Sequence, residues 1–438
     1  MSFTITRRGL LSMSAVAAGG AALGLSACGS DSDTDTGASP SGDASNITGQ
    51  TVRVWFMEGS ISDAAIAHLE STFAKENEGN TLTVEIQPWD GIVSKQQTSL
   101  ASKSESPDLV ETGNTQSSIF TSVGAFAPLD DIYEDLGGDD LIQSFVDAGR
   151  WDDKMYAMPL YAGARGVFYR KDLFEAASIP EPKTLDEFTE AVINLGKANP
   201  EGVSGFSGMY LAAVDEHGVE SLMFAGGGNW AEKDGDKWQE KLTDPATIDS
   251  LNRIQRLFKE GTDYALDSQA SQKAFEKYFN EGKVGVLVAS GNVGAKIDQE
   301  LWDADKVAVM PIPGKTEGEV GQTFAGGSNI SLAANAQNPE LAKQALRVIF
   351  GEEFQKLMGE DGWVPGNTTF SDSITGAFGE ISATIVENSK LSPNTPQWGV
   401  AAGNNLLRDF FTTIAQGKDV EASAADYGTQ LEGILNQG

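Results

Sequence analysis

Between Trp151 and Phe174 the chain reads WDDKMYAMPLYAGARGVFYRKDLF, and this stretch limits the fold more than any other. Leu160–Tyr169 is extended in character, with Ala162, Gly163 and Ala164 at its middle. Val167, Phe168 and Tyr169 are β-prone. Small residues inside such a run let another surface come close to the backbone. Pro159 removes a backbone donor just before it. Arg170, Lys171 and Asp172 then open a helical pattern carried by Leu173, Phe174 and Ala177.

A chain of 438 residues exceeds one ordinary core and calls for two or more domains. Lys and Arg number 31 against 63 Asp and Glu. That balance argues against nucleic acid, which needs basic patches, and against attraction to an anionic membrane surface. It suits an exported, self-repelling protein, and equally an ordinary acidic soluble one. Cys28 is the single cysteine, so no internal disulfide can form. His68 and His217 lie far apart and no metal-ligand spacing occurs, so neither a metal nor a cofactor is expected.

Strand and helix patterns alternate along the chain. Thr51–Phe56 and Leu82–Ile86 alternate like strands, with helical spacing over Ile61–Glu76 between them. Gly91–Lys103 reads as a helix, and Ser106–Val110 as a turn and a strand. Strand–helix–strand at these lengths means a parallel sheet. Phe120–Leu129 and Leu141–Phe145 continue as helix. Thr184 caps a helix through Ala198, with Glu187 completing a capping box. Helices are expected over Thr243–Glu260, Ser268–Glu281, Asn338–Phe350, Glu352–Gly359, Asn404–Gln416 and Val420–Leu435. Strands are expected over Lys283–Ala289 and Val307–Pro311, and Gly321–Leu332 is a second extended run interrupted by small residues.

The pattern of Tyr156, Pro159, the small residues, Tyr169, Lys171, Asp172, Leu173 and Phe174 resembles the sugar-binding solute-binding proteins of ABC importers, as does Ser106–Val110 (SPDLV). The resemblance runs through most of the chain beyond its first residues. It implies an α/β, two-lobed, type II periplasmic-binding-protein-like fold. Each lobe would be a mainly parallel sheet flanked by helices, with three crossings at the hinge. The N-terminal lobe would take residues 48–160 and 328–370, and the C-terminal lobe 161–327 and 371–438. Residues 156–174 are most similar to members from Gram-positive actinobacteria that bind short oligosaccharides, including chitobiose-type sugars.

Residues 1–27 read as an export signal, with a twin-arginine-like motif at Thr6–Leu11 and a weakly apolar stretch after it. Leu25-Ser26-Ala27-Cys28 resembles the bacterial lipobox, which implies a diacylglyceryl group on Cys28. Gly29–Asn46 lacks large apolar side chains, and residues 28–47 read as a disordered tether. The expected location is the outer face of the cell membrane, held by lipid on Cys28.

A saccharide presents hydroxyls at its rim and C–H groups on its faces, so its site needs planar polar groups and aromatic platforms. By resemblance the cleft residues are Glu58, Ser60, Asn114, Thr115, Gln116, Tyr161, Arg165, Tyr210, Asn292, Ser328, Asn329, Trp363 and Trp398. Alternative roles stand beside these: a helix cap for Asn114–Gln116, a lobe–lobe salt bridge for Arg165, core or rim for Trp89 and Trp230. Maltodextrin binders carry a tryptophan in the turn matching Ser290–Val293, and none stands here. The resemblance implies no catalytic residue, a carbohydrate ligand, permease subunits as partners and a monomer. The rival readings are a glycoside-processing enzyme using a carboxylate pair such as Glu111 and Asp215, a surface adhesin or sensor, and a binder of a phosphorylated polyol or peptide. Replacing Cys28 with Ala is expected to move the protein from the membrane fraction to the medium; continued co-sedimentation with membranes would refute the anchor.

Overall fold

The computed structural model describes residues 48–268, 275–393 and 395–437. The expected leader, tether and Cys28 anchor lie outside these residues, as does part of the helix expected over Ser268–Glu281, of which Glu276–Asn280 is helical.

Nine strands form one sheet: β1 (Thr51–Met57), β2 (Thr81–Gln87), β3 (Leu109–Gly113), β4 (Ala157–Arg170), β5 (Val286–Ser290), β6 (Val307–Met310), β7 (Thr323–Leu332), β8 (Val364–Pro365) and β9 (Ser389–Lys390). The main path runs β6-β4-β7-β3-β1-β2, with β5 and β8 also on β4 and β9 on β7. The parallel expectation holds at β1–β2 and β1–β3. Helices α1 (Asp63–Glu76) and α2 (Ile92–Leu100) supply the crossovers. The later strands differ, because β4 pairs antiparallel with β5, β6, β7 and β8. The sheet is therefore mixed.

β4 carries the chain from one core to another. At about 3.3 Å per residue its 14 residues span roughly 45 Å. Its first part, through Met158, Leu160 and Tyr161, packs with Val54, Phe56, Leu69, Ile330 and Leu346. Its last part sends Val167 and Tyr169 into a cluster with Phe188, Leu222, Trp230 and Phe410, and Phe168 into one with Leu287 and Phe378. β7 makes the same passage, with Ile330 and Leu332 at one end and Phe324 at the other.

Between the cores the two strands meet at small residues. Ala325 pairs with Ala164, Gly326 with Gly163 and Gly327 with Ala162. The register slips between Ser328 and Asn329, and Asn329 faces Pro159, which has no N–H to offer the ladder. Gly327 has φ +152, and a β-carbon there would meet the Tyr161 carbonyl and the Phe145 ring.

The remaining helices follow the apolar periodicity closely. Thr184 caps α3 (Leu185–Ala198) by accepting from the Glu187 N–H at 3.2 Å. The reciprocal bond goes one residue further out than the capping box predicts: Glu187 accepts from the Lys183 N–H at 2.8 Å. The later helices include α4 (Glu216–Ala225), α5 (Pro339–Ile349), α6 (Pro396–Gly403), α7 (Leu406–Ala415) and α8 (Val420–Leu435).

One helix expectation is corrected. Phe120–Leu129 does not continue as helix, because the short helix Ser117–Thr121 ends before Gly124. Gly124 has φ +71, and Phe126 bridges to Ala333 instead. Its left-handed glycine and Pro128 break a sequence whose apolar spacing alone suggested continuation.

No helix among the described residues is long and apolar enough to cross a membrane. Gly327→Ala is expected to destabilise the protein by roughly 1–3 kcal/mol through overpacking at the paired strands. Denaturant unfolding checks this, and an unchanged midpoint would show that β4 and β7 are not tightly apposed there.

Candidate functional site

The strand ends and the two paired strands surround a cavity of 320 Å³. That is at the small end of the range of about 300–1,000 Å³ common for ligand sites. Its floor is made by Tyr161, Gly163 and Arg165 of β4 and by Phe324, Gly326, Gly327 and Ser328 of β7. The turn after β3 contributes Asn114, Thr115 and Gln116. The other walls come from Trp89 and the start of α2, from Asp215, Glu216 and His217 at the start of α4, from Trp363, and from Trp398, Asn405 and Arg408 near α6 and α7.

Of the residues singled out in the sequence, Asn114, Thr115, Gln116, Tyr161, Arg165, Ser328, Trp363 and Trp398 line this cavity. Five others stand elsewhere. Glu58 is exposed, and its main-chain carbonyl accepts from the Trp89 indole at 3.1 Å. Ser60 is buried one layer back, against the Tyr161 hydroxyl. Asn329 follows Ser328 on a strand, so its side chain turns to the opposite face, where it donates to the Phe145 carbonyl at 3.3 Å. Asn292 accepts from Ser290, which does line the cavity. Tyr210 stacks with Phe275 and Tyr278 and donates to Asp267 at 3.0 Å, in a cluster away from the cavity.

Two ion pairs stand in the wall. Arg165 holds Asp215 through both its terminal nitrogens, at 2.9 and 3.3 Å, and also donates to the Val288 carbonyl at 2.9 Å. Arg165 stands on β4 and Asp215 directly before α4. Arg408 donates to Glu216 at 3.1 Å, and burial pushes the Glu216 carboxyl above the usual range.

Other lining residues were not identified from the sequence. His217 stacks on Phe324 with ring centres 4.0 Å apart and planes 5° from parallel. Its Nδ1 lies 3.2 Å from Glu220, a fully buried carboxylate that also accepts from Trp230 Nε1 at 2.6 Å and Ser392 Oγ at 2.7 Å. The lone histidine carries no motif, and Phe324 reads as an ordinary strand residue. Trp89, read as core or rim, lines the cavity. Trp398 is only 2% exposed and meets Trp230 edge-on, so it belongs to the core as well as to the wall.

Tyr161 and Trp363 form a second aromatic pair, with ring centres 4.2 Å apart. Behind Tyr161 sits Glu111, with no exposure at all. Tyr161 donates to Glu111 at 2.9 Å, and the Met57 N–H donates to its other oxygen at 2.8 Å.

Residues 58–356 match the family of bacterial extracellular solute-binding proteins. The chain belongs to this family. It is 30% identical over 434 residues, 97% of each chain, to the diacetylchitobiose binding protein DasA of Streptomyces coelicolor. Among solved structures, the GacH receptor of Streptomyces glaucescens superposes with a TM-score of 0.76 at 20% identity, covering 89% of this chain and 99% of that one. The sugar-binding protein MalE of Xanthomonas citri superposes at 0.71 with 19% identity, covering 88% and 97%. This solute-binding protein thus has the two-lobed type II architecture expected of it.

Burial pushes the Glu111 carboxyl up from its ordinary value, against the hydrogen bonds that it accepts. A raised folded value means that the fold favours the protonated form. Its contribution to stability is complete below the unfolded value of about 4.3 and is lost as pH rises through the folded value. Wild type is therefore expected to lose stability relative to Glu111→Gln as pH rises from 4 toward 8. Parallel denaturant stability profiles would contradict it.

Proposed function

We propose that this chain is the binding component of an ABC importer and captures a short, uncharged saccharide in the cavity between its lobes. The lobes are assigned as residues 48–160 with 328–370, and 161–327 with 371–438. The observation that carries this reading is the composition of the cavity wall. Aromatic side chains at Trp89, Trp363, Tyr161 and the His217–Phe324 stack line it together with the hydroxyl and amide side chains of Asn114, Thr115, Gln116 and Asn405. The Gln116 Oε1 is buried and lacks a partner among the described residues, as an acceptor awaiting a ligand donor would be. Both arginines of the wall already hold a carboxylate, which disfavours a phosphorylated ligand.

The relative named for diacetylchitobiose makes that disaccharide the first probe. Contact of one ligand with both lobes favours the closed form, because only closure satisfies both sets of groups at once. The closed form is what the permease subunits recognise in this reading. The protein acts as a monomer on the outer face of the membrane of a Gram-positive cell, exported by its leader and anchored through Cys28. It releases its ligand unaltered. Glu111 is sealed behind Tyr161 and Asp215 is held by Arg165, so this carboxylate pair is badly placed for glycoside hydrolysis.

Calorimetry with diacetylchitobiose, maltose, maltotriose and mannitol tests the reading. Heat of binding with at least one saccharide, and a more compact form by scattering in its presence, are expected. Flat traces throughout would overturn it, and released monosaccharide would favour an enzyme. Trp363→Ala is expected to raise Kd at least tenfold, about 1.4 kcal/mol. Trp363 is the better choice than Trp398, whose loss would also open the core. An unchanged Kd would remove Trp363 from the site.

A further inference from the structure

Four side chains from four separate stretches meet under the cavity floor. Glu111 belongs to β3, Tyr161 to β4, Ser328 to β7 and Ser60 to the turn after β1. The Tyr161 hydroxyl is their common point: Glu111 at 2.9 Å, Ser60 at 2.7 Å and Ser328 at 3.0 Å all reach it. The Met57 N–H holds the second oxygen of Glu111, so the carboxyl group cannot swing. Each of the four is at most 3% exposed. Tyr161 and Ser328 also face one another across the ladder beside the register slip.

The cluster contains no cation. The titratable group facing Glu111 is Tyr161, and the other contacts are a main-chain amide and hydroxyls. A leucine there would avoid the cost of a desolvated carboxyl group. What a leucine lacks is a directed acceptor for the tyrosine hydroxyl, held in place by the Met57 N–H on its other oxygen, and hence a fixed position for the ring that faces Trp363 in the cavity wall.

We infer that Glu111 is a positioning residue of the ligand site: without touching ligand, it sets the place of Tyr161 and thereby of the Tyr161–Trp363 wall. The inference rests on the reading of this cavity as a saccharide site. Gln at position 111 keeps the shape but must either turn its amide toward the Met57 N–H or reverse the hydrogen bond at Tyr161. The effect therefore runs through the Tyr161 hydroxyl and should vanish when that hydroxyl is absent.

The test is a mutant cycle on the full chain, read by calorimetry with diacetylchitobiose, or with maltose if only maltose gives heat. Glu111→Gln is expected to raise Kd at least threefold and Glu111→Leu at least tenfold. In a Y161F background, Glu111→Gln should change Kd by less than twofold. Equal effects of Glu111→Gln with and without Y161F, or no effect of it alone, would overturn the inference. If Glu111→Leu fails to fold, Glu111→Gln decides alone. Should wild type bind none of the saccharides, the function proposed above falls, and tryptophan emission of the unliganded protein decides this inference separately. Glu111→Gln should then shift the emission of wild type but not that of W363F. An absent shift, or the same shift in both, would overturn it.

Discussion

Two antiparallel strands, β4 and β7, run side by side through both hydrophobic cores, and their close apposition governs the rest. Where they leave one core for the other they touch through Ala162, Gly163 and Ala164 against Ala325, Gly326 and Gly327. Large side chains at either end root each strand in a packed body, and their absence at the middle opens the space above. That space is the cavity. Seven of its lining residues come from these two strands. The connection between the bodies and the floor of the cavity are therefore supplied by the same stretch of backbone. A motion that changed the angle between the bodies would also change that floor.

How much of this could be read beforehand depends on whether the signal was local. β1, β2 and α1 follow from alternation and helical spacing, and their observed ends differ from expectation by at most two residues. The crossing at Leu160–Tyr169 was legible because glycine and alanine in an apolar run demand a close neighbour. The antiparallel pairing of β4 with four other strands was not, because strand direction is decided by contacts far away in sequence. The same limit explains the site. Asn114–Gln116 sit just past a strand end, where ligands gather in such sheets, and they line the cavity. His217 and Phe324 lie more than a hundred residues apart and become a stack only through α4 packing on β7. Asn329 was expected beside Ser328, yet a strand places neighbours on opposite faces, and the register slip does not reverse that. Tyr210 is drawn into an aromatic cluster whose other rings lie 54 to 68 positions further along the chain.

Charge is arranged differently at the surface and at the site. The chain carries a net charge of −32, yet the arginines of the cavity wall are matched by carboxylates at hydrogen-bonding distance. A net charge far from zero opposes self-association in general. Asp90 also lines the cavity, outside these two pairs.

Two fully buried glutamates occupy equivalent places behind that wall. Glu111 holds the hydroxyl of Tyr161, and Glu220 holds the ring nitrogen of His217. Each glutamate stands behind one member of an aromatic pair, Tyr161–Trp363 in one case and His217–Phe324 in the other. Neither has a lysine or arginine among its hydrogen-bond partners. A buried carboxyl group costs several kcal/mol unless its oxygens are satisfied, as a general estimate. Glu111 accepts from the Met57 N–H and the Tyr161 hydroxyl, and Glu220 from the Trp230 indole and the Ser392 hydroxyl beside the His217 ring. Apolar side chains would pack as well and leave each ring free to turn. Directed acceptors instead favour one orientation of each ring, and on the proposed saccharide reading that would lower the ordering cost of capture.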